Sequence, residues 1–255
     1  MIHPTAIIDK NAEMAPDVEI GPYSVVEAGA RIGKGARIGS HVVIQGNTTI
    51  GDNCTISPFA SIGGPPQDIG YKFEPTQVVI GNNNTIKEYV TINRGTTKGG
   101  GITKIGDNNF IMAYAHIAHD CNVGSSIIMA NGATLAGHVE VDDFVIFSGL
   151  CAVHQFCRVG KYAFISGLTG IPKDVPPFVI AAGDRAKLYG LNLVGLERRN
   201  FSKDEITKLK RAYRIVFRSA LPLKTSLKLI RDELDGDNIA YFLDFIETST
   251  RGICR

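Results

Sequence analysis

The hydrophobic positions of this chain recur at every sixth residue. An apolar side chain occupies this position throughout residues 8–62 and 80–92 and, after a slip of one residue, throughout residues 105–171. Gly commonly follows it, as at Gly51 and Gly106, and the fifth position is usually small. A period of six fits neither an α-helix nor an alternating hairpin. It predicts one short strand per hexad, followed by a corner where Gly, Asn and Asp accept unusual backbone angles.

Three hexads would form one triangular rung of eighteen residues. Successive rungs would stack at the strand-pairing distance of about 4.8 Å, with the apolar residues pointing inward. The spacing does not determine the hand of the coil. The pattern resembles hexapeptide-repeat proteins, whose coils are left-handed in spite of the usual right-handed crossover rule. We therefore expect a mainly β fold, a left-handed parallel β-helix.

Two stretches interrupt the hexads and predict loops. Residues 64–79 contain three prolines and lose the motif, and residues 95–104 are rich in Gly and out of phase. Loops that leave a solenoid commonly carry function.

The last part of the chain has a helical pattern instead. Ser202 and Glu205 form a capping-box signature at the start of a helix. The apolar face of this helix consists of Ile206, Leu209, Ala212, Tyr213, Val216 and Phe217.

Two further helices are predicted at residues 223–234 and about 238–249. We divide the chain into a β-helix domain, residues 1–184, and a C-terminal helical domain, residues 185–255. The helical domain would cap the open end of the coil, where strand edges are otherwise unpaired.

Composition narrows the possible functions. A net charge of +2 over 255 residues does not favour nucleic-acid binding, which needs a clustered basic face. No apolar run reaches the length of about 18 residues that a membrane helix needs, and the N-terminus lacks a signal-peptide pattern, so we expect a cytoplasmic protein. The five cysteines are an odd number and form no CxxC pair, which argues against a disulfide framework and against a zinc ribbon. Four occupy the small fifth position and are expected to be buried: Cys54, Cys121, Cys151 and Cys157.

Polar residues concentrate on one corner of the predicted coil. His119, Gly137 and Gln155 follow each other at intervals of eighteen residues, so they would stack on successive rungs, with His138 beside Gly137. Asp120 can hold the imidazole of His119 in one tautomer and raise its basicity. No nucleophile elbow, Walker loop or dinucleotide fingerprint is present. A His base without a nucleophile favours direct transfer to a substrate hydroxyl or amine.

A second column contains Asn131, Gly149 and Gly167, again at intervals of eighteen residues. Two interpretations remain open. In the first, the glycines only serve corners; in the second, their missing side chains leave a slot for a slim apolar chain.

Beyond the repeat, the chain resembles the UDP-N-acetylglucosamine O-acyltransferases, the first enzymes of lipid A synthesis. The most specific motif is His-x-x-His-Asp together with Leu-Ala-Gly-His and His-Gln-Phe. The matching segments are residues 3–6, 66–68, 93–96, 116–121, 135–139, 153–156, 174–177 and 195–199.

The resemblance implies transfer of a 3-hydroxyacyl chain from acyl carrier protein to the 3-hydroxyl of UDP-N-acetylglucosamine. His119 would be the general base, Asp120 would orient it, and the backbone N–H of Gly137 would stabilise the oxyanion. No cofactor and no metal are expected.

The resemblance also implies a homotrimer with its sites in the clefts between neighbouring coils. A glycine at Gly167 would favour a long acyl chain in the groove that Gly149 and Gly167 line. Asn192 and Arg198 would hold the nucleotide. The residues implied in binding sugar, phosphate or acyl groups are Gln67, Asp68, His116, His138, His154 and Gln155.

Two departures from the family pattern concern the acceptor. Many members carry Lys where this chain has Gly70, and Glu where it has Val194. Both changes remove a polar group near the nucleotide sugar. An alternative function is therefore N-acyl transfer to a 3-amino UDP-sugar.

Two other classes fit less well. A zinc carbonic anhydrase on the same coil needs a His-x4-His spacing, but the fifth residue after His116 is Cys121. A non-catalytic scaffold would give no reason for the polar column.

Overall fold

The computed structural model describes residues 1–255. Most strands contain only two residues, because each hexad uses its other four residues at a corner. In chain order the strands are β1 Ile7–Ile8, β2 Glu13–Met14, β3 Glu19–Ile20, β4 Val25–Val26, β5 Arg31–Ile32, β6 Arg37–Ile38, β7 Val43–Ile44, β8 Thr48–Ile50, β9 Thr55–Ile56, β10 Ser61–Gly64, β11 Gln77–Ile80, β12 Thr85–Ile86, β13 Thr91–Asn93, β14 Ile102–Ile105, β15 Phe110–Ile111, β16 His116–Ile117, β17 Asn122–Val123, β18 Ile128–Met129, β19 Thr134–Leu135, β20 Glu140–Val141, β21 Ile146–Phe147, β22 Ala152–Val153, β23 Arg158–Val159, β24 Phe164–Ile165, β25 Gly170–Ile171, β26 Val179–Ala182 and β27 Lys187–Leu191.

These strands form three parallel sheets, one on each side of a triangular coil. Every third strand from β1 to β25 forms the first sheet, and every third strand from β2 to β23 the second. The third sheet runs from β3 to β24 in the same way and ends with β26 and the antiparallel β27. The predicted β-helix with eighteen residues per rung is thus confirmed, as in the pairing of Ile38 with Ile56.

The core is the column of inward-pointing hexad residues. From Ile20 to Ile171 each of them is at most 4% exposed. Phe147 is the largest and is completely buried. The four cysteines predicted to be buried are at most 1% exposed.

Both predicted loops are insertions between otherwise regular rungs. Ile50 pairs with Ile80 across the first insertion, and Ile80 pairs with Ile105 across the second, so the apolar column continues without a break. The first insertion joins β10 to β11 and the second joins β13 to β14. Both therefore leave the coil at the corner between the first and second sheets.

The C-terminal region forms four helices: α1 Leu193–Arg198, α2 Lys203–Phe217, α3 Leu223–Glu233 and α4 Asp237–Glu247. The three predicted helices correspond to α2, α3 and α4, and the Ser202–Glu205 capping box is present. The pattern did not predict α1 or β27. The proposed domain boundary at residue 184 falls in the turn between β26 and β27.

The helices pack on the last rungs of the coil. Tyr241 of α4 donates a hydrogen bond to Asp142, and the guanidinium of Arg158 lies 4.5 Å from the ring centroid of Phe245. The tail returns to the coil, where Ile253 bridges to Asp174. No helix of the chain has both the length and the apolar character needed to cross a membrane.

Replacing one residue of the inner column should destabilise the whole coil. Ile86 is completely buried, and Ile86→Ala should lower the free energy of unfolding by about 2–5 kcal/mol, because the rigid rungs cannot close the cavity. Ile7 is 66% exposed, so Ile7→Ala should change it by less than about 0.5 kcal/mol. Denaturant unfolding measures both, and equal effects would contradict the inward column.

Candidate active site

The polar column lies at the corner that also carries the two insertions. His119 and Asp120 lie between β16 and β17, and Gly137 and Gln155 occupy the same corner on the next two rungs. The N–H of His138 donates to the carbonyl of His119 at 3.0 Å, which confirms that these rungs are stacked.

Asp120 is the centre of a buried hydrogen-bond network. Its side chain is only 1% exposed. One carboxylate oxygen accepts the backbone N–H of Thr96 at 2.7 Å, and the other accepts the hydroxyl of Thr96 at 2.7 Å. Its own N–H donates to the Thr103 hydroxyl at 2.8 Å. Thr96 belongs to the second insertion and Thr103 to β14, the strand that follows it, so the loop and this strand together hold the carboxylate in place.

The pKa of Asp120 is set by two opposing effects. Burial raises it, but the hydrogen bonds from His119 and Thr96 outweigh burial, and the pKa lies below its usual value. Asp120 is therefore a carboxylate at neutral pH.

His119 is held in one orientation by this carboxylate. Its Nδ1 lies 2.8 Å from Oδ2 of Asp120. Since a carboxylate oxygen only accepts, the proton of the neutral imidazole is on Nδ1, and Nε2 keeps a free lone pair. The imidazole can therefore take a proton at Nε2.

Gly137 lies directly against this imidazole. A Cβ at Gly137 would be 2.6 Å from Cε1 and 2.8 Å from Nε2 of His119, which is closer than atoms can approach. Any other residue would displace the ring. The N–H of Gly137 donates no hydrogen bond within the chain, so the residue that lies against the imidazole has a free backbone donor.

His138 completes the cluster on the next rung. Its ring stacks on Phe156 at 4.4 Å and meets His119 edge-on at 5.2 Å. Its Nε2 lies 3.5 Å from Oδ2 of Asp120. Burial and the neighbouring His119 lower its pKa, and the charges of Asp120 and Asp68 only partly offset this. His138 is accordingly neutral at neutral pH.

Asp68 brings the first insertion to the same corner. Its charge acts on His138, and its Oδ1 accepts the N–H of Gly70 at 2.8 Å. Gln67 is exposed beside it.

His116 points outward from the first sheet. Its Nδ1 lies 2.7 Å from the Thr91 hydroxyl. Burial is the main cause that lowers its pKa, and the charge of His119 adds to it. His116 is thus a second neutral imidazole near the corner.

Gln155 and His154 are exposed at the top of the column. Nδ1 of His154 lies 3.3 Å from Nη2 of Arg251, so the C-terminal tail touches this end of the column.

Gly149 and Gly167 stack at a different corner, between the third and first sheets. A Cβ at Gly167 would lie 3.4 Å from the carbonyl oxygen of Gly149, and a Cβ at Gly149 would lie 3.5 Å from that of Asn131. These contacts are ordinary, so the corner itself does not require glycine here. The first sheet separates this column from His119.

Asn192 and Arg198, the two residues expected to hold the nucleotide, lie on a different side of the coil from His119. Asn192 and Arg198 line a cavity of about 730 Å³ between the third sheet and α1. The amide of Asn192 caps α1 by accepting the N–H of Gly195 at 3.1 Å and donates to the carbonyl of Tyr162 at 3.0 Å. One chain therefore does not bring Asn192 and Arg198 to His119.

The cysteines offer no alternative nucleophile. Burial raises the pKa of Cys121, the nearest thiol to His119, to about 12, and that of Cys151 to about 11. Both remain thiols at neutral pH, and the thiolate is the reactive form.

Sequence reasoning missed the residues that support Asp120. Thr96 and Gly99 lie in the second insertion, where the interval of eighteen residues does not apply, and Thr103 lies in β14, directly after the insertion. A Cβ at Gly99 would be 2.1 Å from Cγ of Asp120, so this glycine is needed for the close approach of the loop. For this loop the sequence indicated an excess of Gly, a loss of the repeat phase and a family match at residues 93–96, but no contact with Asp120.

Comparison with known proteins agrees with this geometry. The hexapeptide transferase model matches residues 29–64 and 102–137, and the second-domain model of UDP-N-acetylglucosamine O-acyltransferase matches residues 174–254. The acyl-[acyl-carrier-protein]–UDP-N-acetylglucosamine O-acyltransferase of Thermodesulfovibrio yellowstonii is 58% identical, over 100% of this chain and 99% of that protein. The corresponding protein of Herminiimonas arsenicoxydans is 53% identical over the same shares.

Comparison with solved structures leads to the same group of acyltransferases. LpxA from Acinetobacter baumannii superposes with a TM-score of 0.97 at 43% identity, covering 100% of this chain and 99% of that chain. UDP-N-acetylglucosamine acyltransferase from Campylobacter jejuni superposes with a TM-score of 0.95 at 46% identity, with the same coverage. Because a coil of opposite hand would not superpose, the expected left-handed β-helix is confirmed.

The fold and the buried His–Asp corner define a hexapeptide-repeat acyltransferase. The full-length identities are specific beyond that class. The chain belongs to the UDP-N-acetylglucosamine O-acyltransferase family.

Removing the charge of Asp120 should impair both stability and acyl transfer. In Asp120→Asn one of the Thr96 donors or the His119 N–H faces an amide NH2. The free energy of unfolding should therefore fall by about 1–3 kcal/mol at pH 7. The rate should fall by up to about 10⁴-fold, because the His119 tautomer is no longer held.

The stability effect should depend on pH with a definite sign. The folded pKa of Asp120 is lowered, so its contribution is complete above about pH 4, the unfolded value, and is lost as the pH falls through the folded value. Thermal melts at pH 7 and pH 3 test this. The control is Asp232→Asn, at an exposed position of α3. An equal difference in Tm between wild type and Asp120→Asn at the two pH values would refute the charged network.

Proposed function

We propose that this enzyme transfers a 3-hydroxyacyl chain from acyl carrier protein to the 3-hydroxyl of UDP-N-acetylglucosamine, the first step of lipid A biosynthesis. The observation that carries the chemistry is the His119–Asp120 hydrogen bond of 2.8 Å, with the free N–H of Gly137 beside the imidazole. The names of the full-length relatives support the two substrates.

In the proposed mechanism His119 is the general base. Its Nε2 takes the proton of the 3-hydroxyl as the sugar oxygen attacks the thioester carbonyl. The Gly137 N–H donates to the oxyanion of the tetrahedral intermediate. When the C–S bond breaks, the imidazolium returns its proton to the leaving thiolate. The products are the acylated sugar nucleotide and the free carrier thiol, and Asp120 stabilises the imidazolium throughout.

The remaining polar residues of the corner are proposed to bind the acceptor and the acyl group. Asp68 and Gln67 belong to the first insertion, and the charge of Asp68 acts on His138. His116 lies on the first sheet. Two neutral imidazoles, His116 and His138, can both donate and accept hydrogen bonds to hydroxyl groups. His154 and Gln155 extend the same surface by one rung.

A homotrimer would complete this site. Asn192 and Arg198 lie against the third sheet, whereas His119 lies between the first and second sheets. We therefore propose that Asn192 and Arg198 of a neighbouring copy hold the nucleotide in a cleft between two coils. The guanidinium of Arg198 suits a phosphate.

The state of the cysteines supports a cytoplasmic location. All five thiols are free and buried, and free thiols suit a reducing compartment.

The Gly149–Gly167 column is proposed to hold the acyl chain. Since a side chain is sterically tolerated at Gly167, Gly167→Met should fold normally but fill the groove. Its preferred acyl length should shift to shorter chains, as measured by the ratio of kcat/KM over a panel of acyl carrier proteins. Leu168→Met, at the neighbouring position that is 71% exposed, should keep the wild-type profile. An unchanged profile for Gly167→Met would place the acyl chain elsewhere.

The general base is tested by His119→Ala. With acyl carrier protein and UDP-N-acetylglucosamine as substrates, kcat should fall by roughly 10²–10⁴-fold with the fold intact, because proton transfer from the 3-hydroxyl is lost. His3→Ala, an exposed histidine near the N-terminus, should retain the wild-type rate. Equal rates for wild type and His119→Ala would exclude this mechanism.

The same assay separates the two acceptors. Transfer to the 3-hydroxy sugar supports O-acylation, and faster transfer to the 3-amino analogue would favour the alternative.

A further inference from the structure

The second insertion carries a lysine that no part of the proposed mechanism uses. Lys98 lies in a 3-10 turn at Thr97–Gly99, immediately beside the residues that hold Asp120. The turn is capped by Thr96, whose hydroxyl accepts the N–H of Gly99 at 3.2 Å.

This turn is locked to the active-site carboxylate at both ends. Thr96 donates two hydrogen bonds to Asp120, and Gly99 packs so closely on Asp120 that no side chain fits between them. The backbone of Lys98 between them is therefore positioned by the same network as His119.

From this backbone the Lys98 side chain reaches the first insertion. A Cβ at Gly70 would lie 3.3 Å from Nζ of Lys98 and 3.4 Å from Oδ1 of Asp68. The ammonium group thus occupies the space above Gly70, next to a carboxylate whose charge acts on His138.

The ammonium group has no partner within the chain. Like most lysines of the chain, Lys98 takes part in no ion pair and donates no hydrogen bond; only Lys87, Lys161 and Lys208 have carboxylate partners. What distinguishes Lys98 is its position, since this unpaired cation lies between the two insertions beside Gly70 and is available for an anionic ligand. A lysine ammonium is a point charge that binds phosphate oxygens.

We infer that Lys98 is a substrate-binding residue whose ammonium group contacts the pyrophosphate of the nucleotide sugar above Gly70. This inference rests on the proposed function, because that function supplies the pyrophosphate. It adds a cation from the second insertion to the acceptor site.

The test is direct binding, measured by calorimetry without an acyl donor. Lys98→Met keeps most of the length of the side chain and removes the charge. It should weaken binding of both UDP-N-acetylglucosamine and UDP by about tenfold, the lower range for a hydrogen bond to a charged group. Lys72→Met removes a charge from the exposed part of the first insertion and should bind like wild type. Wild-type affinity for UDP in Lys98→Met would overturn the inference.

A relocated charge gives a second, independent arm. A side chain at Gly70 meets only the flexible end of Lys98 and the Asp68 carboxylate, so Gly70→Lys is sterically tolerated. Added to Lys98→Met, it should restore most of the lost affinity. Failure to restore it, with wild-type thermal stability, would count against a requirement for charge at this point.

Kinetics separate this inference from the proposed function. Lys98→Met should raise KM for the sugar nucleotide about tenfold and leave KM for the acyl carrier protein unchanged. If wild type binds UDP-N-acetylglucosamine but transfers no acyl chain, the proposed function fails while the Lys98 contact stands. If transfer is normal and KM is unchanged in Lys98→Met, the contact fails alone.

Discussion

Each rung of the coil must return to the same register as the rung below it. The backbone ladders of the three sheets and the inner apolar column together impose this register, since a slip of one residue would turn inward side chains outward. Extra residues can therefore enter only at a corner. Both insertions do so, and the pairing of Ile50 with Ile80 and of Ile80 with Ile105 shows that the register survives them.

The two insertions and the His119 column share one corner, and this coincidence creates the site. A regular coil offers only a shallow surface. Here the second insertion covers Asp120 and supplies Thr96, and the first brings Asp68 to His138. Burial of Asp120 would by itself favour the neutral acid, so the donors of Thr96 and His119 are what keep the carboxylate charged.

The periodicity predicted the coil and the stacking of His119, Gly137 and Gln155, because in regular rungs a step of eighteen residues is a spatial contact. It could not predict Thr96 as the partner of Asp120, since the intervening insertion has no fixed period. The helical pattern predicted α2 to α4, whose apolar faces are long. Helix α1 has six residues and is defined by the Asn192 cap rather than by a periodic face. The roles of the site residues in binding stay predictions.

The same constraint separates stability from specificity. The inner column and Gly137 tolerate almost no change, since a larger side chain would break the register or displace His119. The insertions carry no strand of the inner column between their ends, so their residues can vary without altering the coil. Lys98 and Gly70 face each other across two insertions, and a charge at either position would occupy nearly the same space. Acceptor affinity can therefore be adjusted at this contact while the His119–Asp120 pair stays unchanged.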